Sequence, residues 1–314
     1  MRAMPRFFHP AAVAAVAGAA VMALGTGCST AVSGTATDGS GGKKIAVVAA
    51  ENFWGSIARQ LGGNLVAENS IITNPDADPH DYEPTAIDAR AIAEARLVIV
   101  NGIGYDPWAP KLISANPVQG RKTLTVGSLL GLKEGDNPHQ WYSAAHVYRV
   151  IDAITEDYKK LDPADAAYFD RQRATFESTG LARYNQLIAQ IRARYAGTPI
   201  GASESIVSPL ADTLGLKMLT PATFLRAISE GSEPTARDKS AIDAQIAGRQ
   251  IKIYIYNSQN ATPDVAAQVK AAKAERIPVT TVTETLTPAG ASFQQWQVTE
   301  LERISSALHT ATGK

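Results

Sequence analysis

The chain has 314 residues, 45% of them hydrophobic and 19% charged, and its 30 basic residues balance its 30 acidic ones. This apolar content supports a sizeable core, with room for about two domains of roughly 100–200 residues, and argues against global disorder. Zero net charge and the lack of a basic run interleaved with aromatics exclude a nucleic-acid-binding surface. The single cysteine, Cys28, excludes an internal disulfide.

Arg2 and Arg6 form a short positive start, Ala11 to Leu24 is an apolar Ala/Val/Met/Gly stretch, and Gly25-Thr-Gly-Cys28 follows. The stretch is too short and too small-residue-rich to span a membrane and reads as a secretory signal over residues 1–27. A cut just before Cys28 resembles a bacterial lipoprotein signal, in which that cysteine takes the lipid, although Leu24 lies one place further from the cysteine than that motif usually has it. Residues 28–43 are Ser/Thr/Gly-rich and predict a flexible tether, because such a tract has little apolar surface to bury. The expected location is therefore outside the cytoplasmic membrane, on a lipid anchor at its outer face.

Lys44 to Ala50 is an apolar run that predicts a buried parallel strand. Phe53, Trp54, Ile57 and Leu61 recur at helical spacing, and Gly62-Gly63 closes that helix. Asn64 to Ile72 predicts a second strand, Ala86 to Ala95 a helix and Leu97 to Val100 a third strand. Residues 144–161 and 164–195 are long, charged and helix-favouring, broken at Asp162-Pro163. A helix over 164–195 would be about 48 Å long. Strand–helix alternation resumes with strands at 199–202, 216–219, 251–256 and 279–282, and helices at 208–214, 240–247, 265–275 and 293–308. The pattern predicts an α/β protein of two lobes, each a parallel sheet flanked by helices. One long rigid helix joins them, and a ligand site lies in the cleft between them. The boundaries are 44–163 for the first lobe, 164–196 for the linking helix and 197–314 for the second lobe.

Two short loops carry the chemistry. In Asn74-Pro-Asp-Ala-Asp-Pro-His-Asp-Tyr-Glu-Pro84, Pro75, Pro79 and Pro84 each remove a backbone donor and bias the preceding residue towards extended geometry, so His80 sits on a stiff loop. Asn137-Pro-His-Gln-Trp-Tyr142 places His139 in the same way. A lone loop histidine is more often a cap than a ligand, but two such histidines in distant loops suggest a metal site assembled by the fold.

These motifs, with Asn101-Gly-Ile-Gly-Tyr-Asp106, Tyr256-Asn-Ser-Gln259 and Thr283-Glu-Thr285, run in order through nearly the whole chain after residue 44. The chain resembles the solute-binding lipoproteins of bacterial ABC importers for zinc and manganese, the ZnuA/TroA-like group. That resemblance implies four metal ligands, one from each of four loops: His80, His139, Glu204 and Glu284. It also implies Zn²⁺, with Mn²⁺ as the alternative, and a partner permease with its cytoplasmic ATPase, the carrier itself being a monomer and not an enzyme. Two neutral imidazoles and two carboxylates give a dication a neutral complex, which eases burial of its charge. Glu204 at a helix start also fits simple N-terminal capping, and Thr283-Glu284-Thr285 also fits ordinary loop chemistry. Asp78, Asp81 and Glu83 read as solvated loop charges or acceptors that hold His80, His146 as a surface or packing residue, and Asn257 and Gln259 as hydrogen-bonding groups near the cleft or, equally, as strand-end turn residues. The competing functions are a secreted zinc-dependent hydrolase, which needs an open water position and a general base, and a surface adhesin indifferent to chelators.

Overall fold

The computed structural model describes residues 44–75, 79 and 82–314. The expected signal, tether and Cys28, together with His80, Asp78 and Asp81, lie outside the described residues.

Two four-stranded, wholly parallel sheets organise the body. The first contains β1 (Ile45–Glu51), β2 (Val66–Ile72), β3 (Leu97–Val100) and β4 (Lys122–Thr125) in the order β2-β1-β3-β4. The second contains β5 (Pro199–Ala202), β6 (Lys217–Met218), β7 (Ile253–Asn257) and β8 (Val279–Val282) in the order β6-β5-β7-β8. The two sheets share one topology. In each, the chain winds outward in both directions from its first strand, leaving a crevice at the carboxyl ends of β1 and β3, or of β5 and β7.

Strand alternation divides the side chains between two layers in each sheet. Val47, Ala49, Leu97 and Ile99 enter a core shared with Ile200, Ile253 and Ile255 of the other sheet, and with Phe53, Trp141 and Trp296. Their neighbours Val48, Ala50, Val98 and Val100 face a separate cluster with Ile92 and Trp108. On the second sheet Tyr254 faces its own cluster with Phe224, Ile242 and Ile246. Both faces of both sheets are thus covered, as parallel sheets require, and one continuous core runs between them.

Around the first sheet lie α1 (Asn52–Gly62), α2 (Ala86–Glu94), α3 (Trp108–Ala115) and α4 (Val126–Leu130). Then come α5 (Ala144–Leu161), α6 (Ala166–Thr175) and α7 (Ala182–Tyr195). Around the second sheet lie α8 (Val207–Leu214), α9 (Ala222–Ser229), α10 (Ala236–Ala247), α11 (Pro263–Ala274) and α12 (Phe293–Thr312). The break expected at Asp162-Pro163 is present, as a short 3₁₀ turn over Pro163–Asp165. Sequence patterning assigns no element to α3, β4, α4 or α9. The edge strand β4 buries only Leu124 fully, so it carries little apolar signal.

The single helix expected over 164–195 differs in detail. It is α6 and α7 joined by a π-helical stretch, Phe176–Gly180. The Leu181 amide donates to the Phe176 carbonyl at 2.8 Å, a five-residue step. Phe176 and Leu181 are both buried, and in a regular α-helix residues five apart face different directions. The wider π turn puts both on the core side. Glycine suits position 180, because a Cβ there would make a tight 3.0 Å contact with the Phe176 ring.

Candidate metal centre

The site residues stand where the sheet topology leaves crevices. Glu204 follows the last residue of β5 by two positions, and Glu284 follows the last residue of β8 by two. From the first sheet come the segment after β2, which holds Pro75 and leads to His80, and the turn after β3, which holds Tyr105.

His139 opens the 3₁₀ turn Gln140–Tyr142, and its side chain is almost wholly buried. The Asn137 Oδ1 accepts the His139 backbone N–H at 3.0 Å and lies 2.8 Å from the ring Nδ1. Its Nδ2 donates to the Ser205 carbonyl at 2.7 Å. A donor bond to a carbonyl and an acceptor bond from an amide fix the orientation of the Asn137 side chain. Nδ1 must then carry the proton, which makes Nε2 the unprotonated ring nitrogen, the form in which an imidazole ligates a cation. The same asparagine ties this loop to the residue after Glu204. Asn101 secures it from below, since Asn101 Nδ2 donates to the Pro138 carbonyl at 3.0 Å and Oδ1 accepts from Trp54 Nε1 at 3.0 Å.

Glu284 is half-buried, with a donor on each oxygen. The Tyr105 hydroxyl donates to Oε2 at 2.7 Å and Asn257 Nδ2 to Oε1 at 2.9 Å. Tyr105 belongs to the first sheet and Glu284 to the second, so this bond crosses the cleft. The Tyr105 ring also meets the His139 ring edge-on, with centroids 5.9 Å apart. Glu204 is fully buried, and its Oε2 accepts from Asn260 Nδ2 at 2.8 Å. Gln259 Oε1 accepts the backbone N–H of Glu284 at 2.6 Å, and its Nε2 donates to the Pro75 carbonyl at 2.6 Å and to Thr285 Oγ1 at 2.8 Å. The hydrogen-bonding expected of Asn257 and Gln259 near the cleft is therefore observed, and Gln259 joins the Glu284 loop to the segment leading to His80. The far end of that segment is held as well. Tyr82 donates to Asp88 Oδ2 at 3.0 Å and packs against Trp108 with ring centroids 5.1 Å apart. Glu83 is exposed, as a solvated loop charge should be. Beside the site lies a cavity of about 570 Å³, lined in part by Gly104, Asp136, Asn137, Ser205, Arg226 and Ser229.

Two buried carboxyl groups support the frame. Glu51, at the end of β1, has no hydrogen-bond donor on either oxygen among the described residues. Burial, then the neighbouring Asp106, push it well above the ordinary carboxylate range. Burial also raises Asp106, against the N–H donors of Gly102 and Asn101, each 2.7 Å from its carboxylate. Glu300 on α12 accepts from Trp296 Nε1 at 2.9 Å and from the Thr283 N–H at 2.9 Å, and lies 2.6 Å from the Tyr142 hydroxyl. Burial pushes it up to about 8. The neutral form fits the geometry: the carboxyl proton goes to Tyr142, whose own proton goes to the Thr283 carbonyl at 2.7 Å.

Among the described residues no group of three or more His, Cys, Asp or Glu side chains forms a metal cluster. Tyr105 contacts both His139 and Glu284, and Asn137 ties the His139 loop to Ser205, the residue after Glu204, with His80 outside the described residues. His146 is not in this network's centre; it lies on α5, 2.6 Å from Gln140 Oε1, as a packing residue does. Sequence reading missed Tyr105, Asn137, Asn260 and Glu300 as supporting groups. The Asn101-to-Asp106 and Asn137-to-Trp141 motifs contain the first two, but nothing in the spacing reveals that they reach across the cleft.

Comparison with known proteins places this arrangement. The fold is that of metal-binding proteins from outside the cytoplasm. The chain superimposes on a periplasmic metal binding protein from Candidatus Liberibacter asiaticus with a TM-score of 0.70 at 20% identity, over 85% of this chain and 100% of that one. It matches a mutant structure of the laminin-binding adhesin Lmb from Streptococcus agalactiae with a TM-score of 0.68 at 20% identity, over 84% and 99% of the two chains. The family model "Zinc-uptake complex component A periplasmic" matches residues 47–307, and the chain belongs to this ZnuA family. Relatives include the manganese-binding lipoprotein MntA of Halalkalibacterium halodurans, 26% identical over 46% of this chain and 48% of that protein. The iron-binding protein YfeA of Yersinia pestis is 28% identical over 56% and 58%. The zinc-binding lipoprotein AdcA of Streptococcus pneumoniae serotype 4 is 24% identical over 81% and 53%. The chain spans about half the length of these relatives.

Proposed function

We propose that the protein captures Zn²⁺ or Mn²⁺ outside the cytoplasmic membrane and hands it to an ABC importer, a permease with its cytoplasmic ATPase. The ligands are His80 and His139 from the first lobe, and Glu204 and Glu284 from the second. Residues 1–27 are the export signal, Cys28 carries the lipid, and residues 28–43 form the tether to the membrane's outer face. Membership of the ZnuA family supports this reading. So do relatives named as zinc- and manganese-binding lipoproteins.

The observation that carries it is the treatment of His139. A buried imidazole whose Nδ1 is engaged by Asn137 presents Nε2, and its loop is bonded to the residue after Glu204. Two such imidazoles and two carboxylates suit a dication, zinc as a four-coordinate complex with bonds near ~2.0–2.2 Å. The chain acts on the cation only by binding it, so the role is that of a carrier and not an enzyme. Elemental analysis of protein purified without added metal tests the reading, paired with competitive zinc and manganese titrations of wild type, His139→Ala and Glu284→Ala. Both variants should lose affinity for both ions. If they bind like wild type, the ligand assignment is wrong.

A further inference from the structure

The turn that carries Tyr105 is built around the position of one atom, the phenolic oxygen. Gly102, Ile103 and Gly104 pass consecutively through the left-handed region, at φ 71°, 61° and 80°. For β-branched Ile103 that conformation is an outlier, held only because its surroundings over-determine it. Asp106 does so by accepting the N–H groups of Asn101 and Gly102, each at 2.7 Å. The Tyr105 N–H closes the turn on the Gly102 carbonyl at 3.0 Å. The ring is fully buried, 5.0 Å from Trp141 and 6.3 Å from Phe53 between centroids, so its direction is fixed. The hydroxyl that results donates to Glu284 Oε2 across the cleft, while buried Asn257 holds Oε1.

We propose that Tyr105 is a positioning residue that determines metal specificity: by holding Glu284 to one-oxygen coordination, it favours four-coordinate Zn²⁺ over Mn²⁺. The inference rests on Glu284 being a ligand. With a fixed donor on each oxygen, the carboxylate plane is clamped at both ends. Two-oxygen coordination would require both oxygens to turn towards one ion against these two donors, whereas one-oxygen coordination would leave the other oxygen with its donor. Zinc is satisfied by four single-atom ligands. Manganese favours a larger oxygen-rich shell, which two-oxygen carboxylate binding helps to fill. A hydrogen bond to a charged acceptor is among the stronger ones, so its loss is measurable.

The test is Tyr105→Phe, which removes the hydroxyl and keeps the ring. Competitive titration with ZnCl₂ and MnCl₂ should show the zinc-over-manganese preference falling by about tenfold relative to wild type. X-ray absorption of the manganese-loaded variant should show an additional oxygen in the first shell. Asn257→Ala frees the other oxygen and should shift the preference in the same direction, which keeps the idea testable if Tyr105→Phe fails to fold. An unchanged preference and an unchanged shell in a folded variant overturn the proposal while leaving the metal site standing. If His139→Ala binds both ions like wild type, or wild type binds neither, the site reading itself fails and this inference fails with it.

Discussion

Asn137 and Glu300 are the residues whose substitution tells most about how single side chains build this site. Asn137 fixes the His139 tautomer and spans to the Ser205 carbonyl. Partners behind a metal-bound histidine typically matter by 10–100-fold in affinity. Asn137→Ala should therefore weaken zinc binding by about that factor in a competitive titration, even though Asn137 is not itself a ligand. Glu300 makes a pH prediction. Its carboxyl ionises near the ordinary 4.5 when unfolded and at about 8 in the fold. Between those values the folded state holds one more proton than the unfolded state, so stability falls as pH rises through the window. In Glu300→Gln the amide NH₂ replaces the carboxyl O–H as donor to Tyr142. Denaturant titrations from about pH 5 to about pH 8 should show a decline flatter than wild type by up to about 1.4 kcal/mol per pH unit. An unchanged slope would mean that Glu300 is ionised in the fold.

The element that matters most is α2, because it anchors the loop bearing His80. Thr85 caps it by accepting from the Asp88 N–H, and Asp88 accepts the Thr85 N–H at 2.7 Å in a reciprocal capping box. Asp88 also receives the Tyr82 hydroxyl, so one carboxylate both starts the helix and holds the end of the loop. Thr85→Ala should cost about 1 kcal/mol, measured as a lower denaturation midpoint. Sequence reading placed the helix at Ala86 to Ala95 but did not identify this cap. The π turn between α6 and α7 was not legible either, because residues 164–195 are uniformly helix-favouring. Only the competition of Phe176 and Leu181 for the same core face widens the helix there.

At the scale of the molecule, the two sheets are tied by more than their connecting helices. Tyr105–Glu284, Asn137–Ser205, Gln259–Pro75 and Tyr142–Thr283 all cross between them close to the site. The described residues also belong to one compact unit. Large hinge closure would break these bonds and open the shared core. Small-angle X-ray scattering of apo and zinc-loaded protein should therefore give radii of gyration that agree within about 1 Å, with metal exchange confined to loop movement. A difference of several ångströms would refute this rigid frame.

The sequence by itself determined the α/β alternation and most strand positions, and it named the candidate ligands His80, His139, Glu204 and Glu284. Those signals are local: apolar runs, helical spacing, and two histidines that each follow a proline. The tertiary structure alone decided how the parts meet. Both sheets feed one core because alternate residues of β1, β3, β5 and β7 face inward, and that apposition brings Tyr105 to Glu284 although 179 positions separate them. No periodicity encodes a hydrogen bond across such a separation. It forms because burying both sheets against the same aromatic residues leaves the loops at their carboxyl ends facing each other.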